Sequence, residues 1–318
     1  MNIVVLEADS IGKDVSYDVL NKYGDVTLYG STPNEMVYER IKNCDIIIPN
    51  KCIIDESCLS NADSVKLICE AATGYNNIDV NYCSKRKIAV TNVAGYSTDN
   101  VAQHTFALLL ALCEKLDYYT TCVNSKKYCK GKSFCDVSKP YNELTGKTYG
   151  IVGLGAIGKK VANIAKAFGM KVIYYSSSNV KQDVEYEMVS FEELLTRSDV
   201  ISIHAPLTDK TNGLFDKDAF YKMKDSAILI NVARGPIVVE KDLTYALKTG
   251  AIAAAGLDVF EKEPLSEESP LFEIEDKDRL LMTPHMAWGS VEARKRLIGE
   301  ISLNIEAYLN GEKRNRIV

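Results

Sequence analysis

The run Thr148-Tyr149-Gly150-Ile151-Val152-Gly153-Leu154-Gly155-Ala156-Ile157-Gly158 passes from an apolar strand pattern into three glycines spaced G-x-G-x-x-G. Ile157, Val161, Ile164 and Phe168 then recur at helical spacing up to Gly169. The glycine spacing alone is a weak signal, but strand, glycine turn and helix in succession are what a dinucleotide-binding βα unit needs. Gly153 permits the tight turn, Gly155 lets the backbone approach a pyrophosphate, and Gly158 lets the helix pack close to the strand. The helix N-terminus, at Ala156 and Ile157, offers free N–H groups and a positive dipole end to phosphates. An Asp or Glu about twenty residues further on would bind the adenosine ribose 2′-hydroxyl and repel a 2′-phosphate. Here Lys171–Tyr175 runs into Ser176-Ser177-Ser178. Ser176 stands where the acid is expected and Lys181 is near, so NAD(H) and NADP(H) both remain open.

Outward from this turn the chain alternates between strand and helix patterns. Upstream, Asn2–Leu6, Val26–Tyr29, Asp45–Ile48, Val65–Glu70 and Ile88–Thr91 are short β-rich runs, separated by amphipathic stretches at Tyr17–Lys22, Asn34–Asn43 and Ile78–Lys85. Downstream, Val200–His204, Ala227–Asn231, Ala253–Asp258 and Leu280–Thr283 continue the strand series. Such alternation predicts α/β architecture with mainly parallel sheets covered by helices. Ser97-Thr98-Asp99 can cap a long apolar helix from Asn100 to Leu116, and the stretch from there to Tyr141 reads as an irregular arm. A last helix, Val291 to Leu309, repeats apolar residues at Leu297, Ile301, Ile305 and Tyr308, which marks one buried face.

Composition narrows the function classes. A chain of 318 residues carries a prior of roughly two domains. The net charge of −5 gives no general attraction to nucleic acid or to an anionic membrane. The longest apolar stretch, Phe106 to Cys113, is far short of the ~20 residues of a membrane span. The N-terminus goes straight into a strand-like run without a charged leader, so the expectation is a cytoplasmic protein. Nine cysteines without a Cys-x-x-Cys pair, and three histidines distant from them, read as free thiols in a reducing compartment, with no metal site.

Three polar residues each follow a predicted strand: Arg234 in Asn231-Val-Ala-Arg-Gly-Pro, Glu263 in Asp258-Val-Phe-Glu-Lys-Glu-Pro, and His285 in Thr283-Pro-His-Met-Ala-Trp. Ligands of open α/β sheets sit at the carboxyl ends of strands, so the three can converge. With Gly153-Leu-Gly-Ala-Ile-Gly, His204-Ala-Pro-Leu-Thr and Gly256-Leu-Asp-Val-Phe-Glu-Lys-Glu-Pro, these motifs resemble, in order and across about the whole chain, the D-isomer-specific 2-hydroxyacid dehydrogenase family.

The resemblance implies two Rossmann-like domains with parallel sheets. A flavodoxin-like substrate domain would span 1–98 and 290–318, and an inserted dinucleotide-binding domain 99–289, with the active site in the cleft. It implies that Arg234 binds the substrate carboxylate and carbonyl oxygen, that His285 is the general acid/base, and that Glu263 is its partner. It places Asp258 at the nicotinamide end and adds His204, Pro206, Thr211, Val232 and Ala233 to the cofactor contacts. The backbone of Thr73, Gly74 and Tyr75 would meet the substrate carboxylate, with Lys51 flanking it. His104 reads as a helix residue at a domain contact. A homodimer through the cofactor domain and the arm also follows from resemblance alone.

The chemistry is coherent. A 2-keto acid is an anion whose carbonyl oxygen becomes an alkoxide as a hydride arrives, and a planar, permanently charged arginine fork suits both features. The alkoxide needs a proton, histidine titrates near neutrality, and a nearby carboxylate favours the imidazolium. Trp288, with Glu292-Ala293-Arg294 and Val101-Ala102-Gln103-His104, is similar to the glycerate dehydrogenase (hydroxypyruvate and glyoxylate reductase) branch. The expected reaction is therefore reduction of hydroxypyruvate or glyoxylate to D-glycerate or glycolate. Another 2-keto acid, D-lactate-like or 3-phosphoglycerate, is an alternative substrate pair. A dinucleotide-sensing corepressor-like binding protein is the alternative of another class, and turnover separates it from an enzyme.

Overall fold

In the computed structural model, which describes residues 1–318, the N-terminal β-rich runs become five parallel strands: β1 Asn2–Val5, β2 Asp25–Leu28, β3 Ile46–Ile48, β4 Leu67–Cys69 and β5 Ala89–Thr91. Their order is β2-β1-β3-β4-β5, the flavodoxin-like winding with its switch point between β1 and β3. Side chains alternate between faces along a strand. Ile3, Val5, Ile46, Ile48, Leu67 and Cys69 enter one core, and Val4, Leu6, Ile47, Ile68 and Val90 the other. Both faces are buried, which is why the runs are continuously apolar rather than alternating.

The C-terminal helix, Val291–Leu309, covers the first face with Leu297, Ile298, Ile301 and Ile305, each 2% exposed or less. Ser290 caps it, accepting from Ala293 N at 3.2 Å. The chain accordingly divides into a first unit of Met1–Ser97 with Trp288–Val318 and a second unit of Thr98–Ala287.

The second unit holds seven parallel strands: β6 Thr148–Val152, β7 Lys171–Tyr175, β8 Glu187–Met188, β9 Val200–Ile203, β10 Ile228–Asn231, β11 Ala254–Leu257 and β12 Leu280–Met282. Their order, β12-β11-β10-β9-β6-β7-β8, reverses direction between β6 and β9, as in a dinucleotide-binding fold. One core packs Val152, Ile201, Ile203, Leu229 and Leu257 against Phe220, Leu243 and Leu247. On helix Thr98–Cys113, Phe106 stacks on Tyr149 at 5.8 Å.

Two expectations need correction. Tyr17–Lys22 forms a 3-10 segment, Asp18–Tyr23, rather than a regular helix. The long apolar helix stops at Cys113, and part of the supposed irregular arm is helical, Leu116–Asn124. Lys115 separates the two with φ +52 while its ammonium donates to Asp278 O at 3.2 Å. Thr120, Thr121 and Val123 gave the second helix a weak sequence signal, because β-branched residues favour helices poorly.

Candidate active site

Three neighbouring strands of the second sheet end in register: Asn231 of β10 pairs with Leu257 of β11, and Leu257 with Met282 of β12. Arg234, Asp258 and His285 follow within a few residues, so they leave the same carboxyl edge. Gly235 brings two of the loops together. A Cβ there would fall 1.8 Å from the Phe260 carbonyl oxygen, so only glycine lets the Arg234 loop lie against residues 260–261. The second loop then closes on itself, with Phe260 N donating to Glu263 Oε1 at 3.1 Å. Glu263 Oε2 lies 2.7 Å from His285 Nδ1. A carboxylate at Nδ1 requires a proton there, which leaves Nε2 to face a reacting oxygen. The His285 and Glu263 side chains remain 24% and 32% exposed, open to a small ligand.

His285 has φ +50, a left-handed backbone conformation that a non-glycine residue keeps only when its surroundings hold it. Asp258 supplies the hold. Its carbonyl accepts from His285 N at 2.8 Å. Its carboxylate accepts the Thr283 hydroxyl at 2.6 Å, Met286 N at 2.9 Å and Ala287 N at 2.8 Å. With the Thr283 proton directed to Asp258, His104 Nε2 donates to the same hydroxyl at 3.0 Å. His104 and Thr283 belong to one unit, and His104 backs the turn that carries His285. Asn231 performs a similar service for Arg234. Its side-chain NH2 donates to Arg234 O at 3.0 Å and its oxygen accepts Ala233 N at 3.1 Å, while Arg234 Nη1 reaches Ala233 O at 2.7 Å.

The glycine turn fits a dinucleotide. Gly153 has φ +91, and a Cβ on it would come within 2.7 Å of Ala205 N; one on Gly158 would come within 2.3 Å of Gly153 O. A Cβ on Gly155 meets nothing within 4 Å, so open space lies in front of that backbone. Helix Ala156–Ala167 begins there without a side-chain cap, and its first N–H groups are available to phosphate oxygens. Ser176 and Ser178, past the end of β7, bring their hydroxyls within 3.0 Å of one another. Pro206, Val232 and Ala233 follow β9 and β10 at the same edge.

Two of the expected cofactor contacts are also tied into their own surroundings. Thr211 is fully buried, its hydroxyl donating to Pro206 O at 2.7 Å and accepting Thr208 N at 2.8 Å, so it shapes the turn from within. The His204 ring lies 2.8 Å from Ser202 Oγ through Nε2, and its buried Nδ1 has no partner. Burial lowers its pKa to about 3 and keeps the ring neutral.

In the first unit, the Asn50–Cys52 loop is gathered by one oxygen of Glu7, which accepts N–H groups of Asn50, Lys51 and Cys52 at 2.8, 2.7 and 3.0 Å. Thr73 is anchored by Asn92 Nδ2 to its carbonyl at 2.7 Å and by its own hydroxyl to Val93 O at 2.9 Å. Gly74 and Tyr75 form the outer part of that loop. Trp288 packs edge-on to Tyr96 at 6.4 Å beside the first unit's core. Glu7 and Glu70 escaped the sequence reading, although each directly follows an apolar strand run, as Asn50 does.

Residues 106–287 match the family model described as D-isomer specific 2-hydroxyacid dehydrogenase, NAD binding domain. Among relatives, hydroxypyruvate reductase of Blautia hydrogenotrophica is 36% identical over 99% of this chain and 99% of its own. Among solved structures, the TT0316 protein of Thermus thermophilus superposes with a TM-score of 0.90 at 31% identity, covering 100% of both chains. D-lactate dehydrogenase of Aquifex aeolicus, solved with NAD and lactic acid, gives 0.85 at 30% identity over 98% of this chain and 96% of that one.

Proposed function

The chain belongs to the D-isomer specific 2-hydroxyacid dehydrogenase family, and from that premise we propose that it reduces hydroxypyruvate or glyoxylate, with His285 as the proton donor. It is a nicotinamide-dinucleotide-dependent oxidoreductase of D-2-hydroxy acids. The observation that carries the residue assignment is the 2.7 Å contact between Glu263 and His285, on a loop that abuts Arg234.

The steps for this chain's residues follow from their chemistry. Arg234 binds the substrate carboxylate and draws charge toward the carbonyl oxygen. His285 Nε2–H donates a proton to that oxygen as it becomes an alkoxide, and Glu263 stabilises the imidazolium beforehand. In the first unit, Lys51 and the amides of Gly74 and Tyr75 are the proposed carboxylate-binding groups. When bound, the dinucleotide supplies the hydride. Gly153, Gly155, Ala156, Ile157 and Gly158 would hold its diphosphate, and Asp258 both fixes the His285 turn and lies toward the nicotinamide end. The serines after β7 leave room for NADPH as well as NADH, since a hydroxyl does not repel a 2′-phosphate. The similarity to a hydroxypyruvate reductase over nearly all of both chains favours a small substrate.

The arm supports a homodimer. Phe134 and Val137 are 91% and 76% exposed, and Val123 and Tyr141 are also exposed, an apolar surface that a second copy would cover. No helix is long and apolar enough to cross a membrane, and the nine thiols are all free, which supports a reducing, cytoplasmic setting.

One steady-state comparison tests the whole reading: hydroxypyruvate, glyoxylate, pyruvate and larger 2-keto acids, each with NADH and NADPH. The highest kcat/KM is expected for hydroxypyruvate or glyoxylate. Preference for a larger acid would redirect the substrate assignment, and negligible turnover with all of them would favour a binding protein.

A further inference from the structure

Glu70, directly after β4, is 0% exposed. Its Oε2 accepts from Asn77 Nδ2 at 3.1 Å, while Oε1, equally buried, meets no donor. The same Asn77 amide donates to Cys52 O at 3.0 Å, and Asn77 O accepts Ile54 N at 2.8 Å. Asn77 is therefore a tie between two loops, one carrying Lys51 and the other Gly74 and Tyr75, and Glu70 holds that tie from below. The far end of the second loop is already pinned through Thr73. Without the Glu70 and Asn77 side chains, the far end of segment 74–76 would keep only backbone bonds, Ile54 N to Asn77 O at 2.8 Å and Ile78 N to Tyr75 O at 3.1 Å.

The charge balance around Glu70 supports a neutral acid. Burial pushes its pKa well above the carboxylate range; the Asn77 hydrogen bond and the Lys51 charge offset this in part, and the Glu7 carboxylate adds to it. Cys52 and Cys69, titratable neighbours, have their thiols raised by burial to about 12 and stay neutral.

We propose that Glu70 is a positioning residue for the substrate carboxylate, acting through Asn77 to hold the Gly74 and Tyr75 amides in fixed relation to the Lys51 loop. This rests on the reading of the Thr73–Tyr75 loop as a carboxylate-binding element.

The test is a set of steady-state and thermal-melt measurements on the full chain with glyoxylate as the varied substrate. Asn77→Ala and Glu70→Leu are expected to raise KM for glyoxylate roughly tenfold, since small misplacements of binding groups are costly, with kcat and dinucleotide affinity unchanged. Glu70→Gln keeps an acceptor for Asn77 in a neutral side chain and is expected to restore the wild-type KM. Should Glu70→Leu fail to fold, Asn77→Ala and Glu70→Gln still decide. A lowered melting temperature with wild-type KM in Asn77→Ala, or a KM in Glu70→Gln as high as in Asn77→Ala, would overturn the proposal. Tyr75→Pro, which removes one of the two amides, separates the two levels. If it raises KM while Asn77→Ala does not, the positioning role alone is wrong; if it leaves KM unchanged, the carboxylate-loop reading itself fails.

Discussion

Glu263 Oε2 stands 2.7 Å from His285 Nδ1, and the other oxygen of the same carboxylate takes the Phe260 amide at 3.1 Å. The carboxylate is thereby oriented before it orients the imidazole, and on the proposed mechanism the ring's Nε2 is left for the proton transfer. His285→Ala should lower kcat/KM by about 10²–10⁴-fold, the usual worth of a general acid. Dinucleotide binding, followed by fluorescence titration, should survive. Glu263→Gln should give a smaller loss; turnover near wild type in His285→Ala would remove the histidine from the mechanism.

Asp258 accepts three hydrogen bonds on a fully buried carboxylate beneath the left-handed His285. Replacing it by Asn puts an NH2 group opposite an amide donor and leaves that donor unpaired, at a cost of about 1–3 kcal/mol. Asp258→Asn should lower the urea midpoint and reduce turnover together. An unchanged midpoint would mean that the turn holds His285 without it.

Ser176 follows the end of β7, where on the proposed reading an acid would contact the ribose. Ser176→Asp should shift the ratio of NADPH to NADH dissociation constants by at least roughly tenfold toward NADH, because a carboxylate binds the 2′-hydroxyl and repels a 2′-phosphate. Fluorescence titration with both cofactors measures this, and an unaltered ratio would place the discriminating contact elsewhere.

His204 is neutral in the fold, with its pKa lowered to about 3 by burial. In the unfolded chain it titrates near 6.5. The unfolded state binds the extra proton between these values, so stability is full above pH 6.5 and falls as pH drops toward 3. The slope is about 1.4 kcal/mol per pH unit. Denaturant titrations from pH 8 to 4 should show this component in the wild type and not in His204→Gln. Parallel curves for the two proteins would refute it.

Much of this protein can be read along the chain because the relevant signals are local. The continuous apolar runs at Asn2–Leu6 and Asp45–Ile48 announce parallel strands buried on both faces. Gly153 and Gly158 mark a turn with no room for a Cβ, and Gly155 an open approach in front of it. Arg234, Glu263 and His285 stand at strand ends, where ligands of such sheets bind. Leu297, Ile301 and Ile305 show the last helix's buried face, and all three are buried in the first unit's core.

Only the tertiary structure decided what each polar side chain does once it is there. Thr211 and Ser176 are both hydroxyl residues past strand ends, yet Thr211 spends its hydroxyl on its own turn and is fully buried. His104 lies far from His285 in sequence and supports it through Thr283. Glu70 looks like an ordinary strand-end acid until its burial and the bridge through Asn77 to Cys52 are seen. Periodicity and turn chemistry depend on neighbours in the chain, so the residues themselves state them. Burial and hydrogen-bond partnership depend on segments that meet only on folding, so no local pattern carries them.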